Sequence, residues 1–132
     1  MSIYLTLSER KKFIIETLTP LIKDRKAIVF GDFNIALTAN DREGHFSLTP
    51  DIIQLRDFLN QGNLIDAADH PQFTYKSAYG LGSRIDYYFI EESLSSNIRL
   101  ETVVLPLPFD HCALKLHWVP PCHRSVPMDY EF

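Results

Sequence analysis

The sequence predicts a mixed α/β (α+β) domain, and three features carry that expectation. Short apolar runs of strand type alternate with two stretches of helical periodicity. Each strand ends on a turn-forming or polar residue, and no internal repeat or low-complexity segment intervenes. At 132 residues, with 45% hydrophobic and 23% charged side chains, the chain has the length and composition of one globular domain.

The elements follow in order. In "SIYLTL", Ile3, Leu5 and Leu7 alternate with Tyr4 as in a strand, and Ser8 suits the cap of a following helix. Phe13, Ile14, Leu18, Leu21 and Ile22 recur at helical spacing, and Pro20 predicts a kink or break near Thr19. "AIVF" is apolar throughout, the pattern of a central strand buried on both faces. A long connection runs from Gly31 to Gly44. Thr49-Pro50 then starts a helix whose Ile52, Leu55 and Leu59 share a face and which Gly62 stops. "FTYKS" and "RIDYYFI" predict a hairpin about "AYGLG". "IRLETVVL" is a strand halted by "PLP", and "CALKLHWV" alternates Leu114, Leu116 and Trp118 with Lys115 and His117. Residues 1–119 therefore form the expected domain. Residues 120–132 read as a tail, because three prolines deny them a strand ladder.

The net charge of −4 and a pI near 5.7 argue against binding nucleic acid by bulk phosphate neutralisation. They leave room for an acidic centre whose cation meets the phosphate. Cys112 and Cys122 are too few for a disulfide framework, so two free thiols in a reducing compartment are expected. The spacing of Cys112, His117, Cys122 and His123 does not match the close ligand pairs of zinc sites. No apolar run reaches the roughly 18–20 residues of a membrane-spanning helix, and the N-terminus lacks signal-peptide order.

Three polar groups punctuate strand ends. Asp32 and Asn34 follow "AIVF", Asp86 opens "IDYYFI", and Asp110-His111 precedes "CALKLHWV". Singly each has a structural reading: "GDFN" as a turn, Asp86 beside Arg84 as a strand-edge charge, Asp110-His111 as a cap. Together they supply what phosphodiester hydrolysis needs. That chemistry requires hard oxygen ligands for a divalent cation, a base for water, and a donor to the phosphoryl oxygen. An Asp86 carboxylate bonded to His111 would also fix its tautomer and favour its charged form.

"GDFN", "SRIDYYF" and "FDHCAL", in this order, resemble the endonuclease/exonuclease/phosphatase superfamily of metal-dependent phosphodiesterases. The finer similarity is to the endonuclease domains of LINE-type (non-LTR) retrotransposons, through Asp41-Arg42, "LIDA", "FTY" and the Ser-Arg-Ile-Asp strand. The resemblance spans about Ile3 to Val119. It implies one half, the C-terminal one, of a four-layer α/β/β/α sandwich with a mixed, mostly antiparallel sheet flanked by helices. It implies that Asp32 positions or deprotonates the attacking water, Asn34 contacts the scissile phosphate, and Asp86 pairs with His111. Asp110 and Asp32 would bind Mg2+ or Mn2+, and Tyr4 would be an active-site tyrosine. Asn34, Arg42, Tyr75 and Lys76 would meet DNA, in the nucleus if the chain acts as a retrotransposon endonuclease.

The chain departs from the pattern where Leu5-Thr6-Leu7 replace the family's Ala-Pro-Asn. The half that would carry the family's principal metal-binding Glu is not in this sequence. The resulting expectation is a truncated, weakly active or inactive chain. It would self-associate through an exposed sheet face or take a complementary N-terminal half. The alternatives are a non-catalytic, protein-binding remnant and a lipid or inositol-phosphate phosphatase of the same superfamily.

Overall fold

The computed structural model describes residues 7–119, so Tyr4, most of the strand expected around it and the tail lie outside the described residues. Helix α1 (Leu7–Phe13) already includes Leu7, which places Ser8 inside the helix rather than at its cap. Pro20 does not break the helix. A π-helical turn (Ile14–Leu18) precedes helix α2 (Thr19–Ile22), and the Thr19 N–H and its Oγ1 both donate to Ile14 O. The widened turn makes room for a ring that an α-helix would force against the preceding carbonyl. Helix α3 (Pro50–Gln61) starts with Pro50 in its first turn, where the missing N–H costs nothing. It ends at Gly62, where a Cβ would lie 2.7 Å from Ile22 Cδ1 and force that side chain to shift.

Strands β1 (Ile28–Asp32), β2 (Leu64–Asp66) and β5 (Asp86–Glu91) form one antiparallel sheet in the order β1-β5-β2. Its register runs from Ile28 opposite Ile90 to Asp32 opposite Asp86. Strands β3 (Tyr75–Lys76) and β4 (Gly82–Ser83) make a short hairpin, and β6 (Ile98–Val103) pairs with β7 (Ala113–Trp118). The turn after "FTYKS" therefore closes on Gly82-Ser83 and not on "RIDYYFI", which turns away as β5 into the larger sheet. Every described strand pair is antiparallel.

Apart from Ile90, which is buried although it shares a face with the exposed Phe30, alternate residues of the larger sheet have opposite fates. Tyr87 and Phe89 point under the helices, into a core with Ile14, Ile22, Ile52, Leu55 and Phe58. Phe33 packs edge-on against both rings. On the other face Phe30 is 63% and Ile28 38% exposed, with Ile65 also open. Phe30 stacks on its cross-strand neighbour Tyr88 at 4.8 Å. The expectation that "AIVF" is buried on both faces is thus wrong. Among the described residues β1 is an edge strand, and its uniform hydrophobicity covers one filled face and one open one.

A buried ionic network, of which the sequence carried no sign, lies at the entry to β5. Arg84 Nε meets Asp41 Oδ1 at 2.8 Å, and its Nη2 meets Asp66 Oδ2 at 2.5 Å. The guanidinium also sits over the Tyr87 ring. The Tyr87 hydroxyl donates to Arg84 O and accepts from Leu37 N–H, and burial pushes its pKa up. Arg84 is therefore a buried cation paired with two carboxylates.

Candidate active site

Backbone geometry converts "GDFN" from a strand into a rim. Gly31 adopts φ +142 and Asn34 φ +52, both in the region that Gly and Asn tolerate best. The Asn34 N–H donates to Asp32 Oδ1 at 2.8 Å, closing an Asx turn that aims the carboxylate. Arg10 of α1 donates to Asn34 O and lies 3.5 Å from Asp51 of α3, tying this turn to both helices. The stretch is a turn and a candidate site at once.

Asp86 lies directly opposite Asp32 in the ladder, on the same face of the sheet. His111 arrives from the connection before β7. A bridge between Tyr75 and His111 fixes that connection, as do bonds from Lys76 N–H to Asp110 O and from Cys112 N–H to Thr74 O. His111 Nδ1 is 2.8 Å from Asp86 Oδ2, and Nε2 is 3.9 Å from Asp32 Oδ2. One ligand atom from each of Asp32, Asp86 and His111 lies within 4.8 Å of the others. Residues far apart along the chain thus converge on one rim.

Asp86 and His111 both have pKa values raised above their ordinary ones. Partial burial opposes charge on His111, but the hydrogen bond and charge of Asp86 outweigh it, and Asp32 and Asp110 add to the raised pKa. Burial raises Asp86 as well, against the hydrogen bonds from His111 and Thr74, with Asp32 adding a little. Nδ1–H donates to Asp86, which leaves Nε2 directed toward the space beside Asp32.

Thr74 deserves a place in the site that its type alone does not suggest. It is 1% exposed, and its Oγ1 accepts from both Ile85 N–H and Asp86 N–H. Its carbonyl receives Cys112 N–H and its own N–H donates to Ser83 O. It therefore joins the start of β5 to the segment that delivers His111. A buried Thr within a strand pattern gives no sequence signal of such a role.

The structure spreads the remaining candidates around this centre. Asn34, Arg42 and Tyr75 line one open cleft of about 600 Å³, together with His45 and the exposed Tyr79. Tyr75 is half-buried with its ring 5.0 Å from that of His111, so it packs against the site as well as facing the cleft. Lys76 lies beside Asp110 and His111 in a neighbouring groove. Asp110 is exposed and is not among the three clustered donors. Its carbonyl accepts Lys76 N–H, and its charge adds to the raised pKa of His111. Two carboxylates and an imidazole suit a divalent cation: the oxygens are hard ligands, while an imidazole bonded to Asp86 is better placed as a donor than as a ligand for Mg2+.

Comparison with solved structures matches this architecture to AP endonuclease LMAP from Leishmania major, with a TM-score of 0.64 at 17% identity. The match covers 89% of this chain and 47% of that one. The 3'-5' exonuclease NExo from Neisseria meningitidis matches with a TM-score of 0.65 at 19% identity, over 85% of this chain and 51% of that one. A 3' phosphatase form of NExo bound to a product DNA hairpin gives 0.66 at 18% identity, covering 86% and 51%. The chain has the fold of these nucleases. It spans about half the length of the structures it matches. No protein-family model matches it.

Asp32, Asp86 and His111, one from each of the three sequence punctuations, fall together at one edge of this fold. What the sequence reading missed are the supports: Thr74, Arg10 and the Asp41–Arg84–Asp66 network. Polar residues of these types are ordinarily solvent-facing. Only the packing reveals them as buried or bridging.

Proposed function

We propose that this chain carries the catalytic rim of a divalent-metal-dependent phosphodiesterase of the endonuclease/exonuclease/phosphatase superfamily, acting on DNA as LINE-type endonuclease domains do. The observation that carries the reading is the convergence of Asp32, Asp86 and His111 within 4.8 Å on a nuclease-like fold.

Each residue has a task consistent with its contacts. Asp32 keeps one oxygen on Asn34 N–H and offers the other to orient an attacking water and accept its proton. His111 donates from Nε2 to a phosphoryl oxygen while Asp86 holds Nδ1–H and stabilises the imidazolium. Asn34 and Arg42, which line the adjoining cleft, would contact the phosphate from that side. Asp32, with Asp110 or Asp86 beside it, would hold Mg2+ or Mn2+, which polarises the phosphoryl oxygen and stabilises the leaving group.

The open sheet face enters the same reading. Asp32 and Asp86 sit at its edge, so a second, sheet-bearing segment that covers Phe30 and Tyr88 would also reach the metal site with a further carboxylate. Alone, these 132 residues are weak catalysts, because one missing metal ligand costs several factors of ten at about 1.4 kcal/mol each. A protein-binding role without catalysis is the second reading, and the exposure of Phe30 is what favours it.

Supercoiled plasmid incubated with the chain and Mg2+ tests the proposal, with and without a separately expressed complementary half-domain. Slow nicking that the added half accelerates and Asp32→Asn abolishes supports it. Absence of nicking in both mixtures refutes the hydrolase reading and leaves the binding role.

A further inference from the structure

Arg10 is anchored through a single nitrogen. Its Nη1 donates to Asn34 O at 2.9 Å and lies 3.5 Å from Asp51 Oδ2. Its Nε is, among the described residues, the one buried side-chain polar atom with no hydrogen-bond partner. A buried donor left unpaired opposes folding, so Arg10 occupies this place at a cost. Asp51 keeps it there. That carboxylate is 2% exposed in the first turn of α3, and its other oxygen accepts from Ile52 N–H and from the Thr49 hydroxyl.

What Arg10 holds is the turn behind Asp32. Asn34 gives its N–H to Asp32 Oδ1 and its carbonyl to Arg10, while its own backbone sits at φ +52. A residue with a Cβ keeps that left-handed conformation only where its surroundings impose it. One residue thus separates a helix-anchored guanidinium from the carboxylate that lies 3.9 Å from His111 Nε2.

We propose that Arg10, clamped by Asp51, is a positioning residue for phosphodiester hydrolysis: it fixes the Asn34 turn so that the Asp32 carboxylate stays aimed at the space beside His111. The proposal rests on the phosphodiesterase reading and adds to it a control exerted from α1 and α3. Without the clamp, Asn34 relaxes toward ordinary backbone geometry and Asp32 loses the N–H that aims it. A displacement of about 1 Å is worth on the order of 10²-fold in rate. The loss falls on turnover rather than on substrate affinity, because Arg10 acts through Asp32.

Arg10→Met removes the donor but strands the buried Asp51 carboxylate, so Arg10→Met with Asp51→Asn is made alongside it to preserve the fold. Two readouts are taken well below the melting temperature of each variant. In NMR spectra without metal, the wild-type Asn34 amide signal should move as acid titrates Asp32, and the double variant should lose that displacement. In the faster of the two plasmid mixtures with Mg2+, kcat should fall about 10²-fold at unchanged KM. A double variant that melts lower yet keeps the Asn34 displacement and full kcat makes Arg10 a tie between helices and overturns the inference. A fall in kcat with the Asn34 signal unaltered, or a loss confined to KM, overturns it too. Wild-type chain that nicks in neither mixture removes the phosphodiesterase reading and this inference with it. Asp32-dependent nicking that the Arg10 variants leave untouched removes this inference alone.

Discussion

The two faces of the β1-β5-β2 sheet differ sharply although the same strands build both. On one face Phe89 is 0% exposed and, with Tyr87, lies under three helical segments. On the other, Phe30 is open and carries beside it the carboxylates of Asp32 and Asp86. One face is spent on stability, and the other is available for chemistry and for a partner. Strand alternation alone separates the two roles, because neighbouring residues point to opposite sides.

The contrast can be broken most forcefully from the buried side. Phe89→Ala should lose about 3–5 kcal/mol in urea denaturation, the cost of a large core deletion. A loss under about 1 kcal/mol would mean that the helices do not seal that face. Arg84→Ala should cost a comparable amount, about 3–5 kcal/mol, since it strands the buried Asp41 carboxylate. Arg84→Met with Asp41→Leu should recover much of that loss if the network is structural.

On the open face the expected outcome is reversed. Asp32→Asn should reduce plasmid nicking by about 10²–10⁴-fold, the worth of a positioned base, with melting unchanged. Thr74→Val should lower nicking less and shift the His111 titration seen by NMR, whereas Thr74→Ser should restore both. Phe30→Ser should cost no more than about 1 kcal/mol, the order of one aromatic pair, and should reduce self-association in size-exclusion chromatography. A Phe30→Ser chain as unstable as Phe89→Ala would erase the distinction between the faces.

The smallest effect concerns pH. The raised His111 pKa contributes stability that is fully present below its unfolded value, about 6.5. That contribution fades as pH rises through the folded value. The raised pKa of Asp86 acts in the same direction from lower pH. Melting temperature should therefore decline gently between about pH 6 and pH 8, and His111→Asn should flatten the decline. A wild-type profile already flat across that range would show that the pair does not hold its proton as the geometry implies.

Much of the architecture was legible in the residues. The α3 boundaries followed from Thr49-Pro50 and Gly62, and β6 and β7 from alternation and the "PLP" stop, because local conformational preference governs helix ends and strand breaks. Of the kink or break expected near Thr19, the break does not occur, because a π-helical turn precedes Pro20 and the helix runs on through it. "AIVF" misled because hydrophobicity marks a side chain that can be buried without saying on which face anything covers it. The hairpin closed early because β5 found partners on both sides, in β1 and β2.

By itself the sequence determined the chemical inventory: carboxylates, an amide and an imidazole at strand ends, where turn-forming residues interrupt apolar runs. Only the tertiary structure decided that Asp32, Asp86 and His111 meet, that Thr74 braces them and that Arg84 lies buried between two acids. Composition and periodicity act over a few residues, whereas a site is made by strand register and by packing between segments dozens of positions apart. Those long-range choices fix which side chains share a rim and which face remains open.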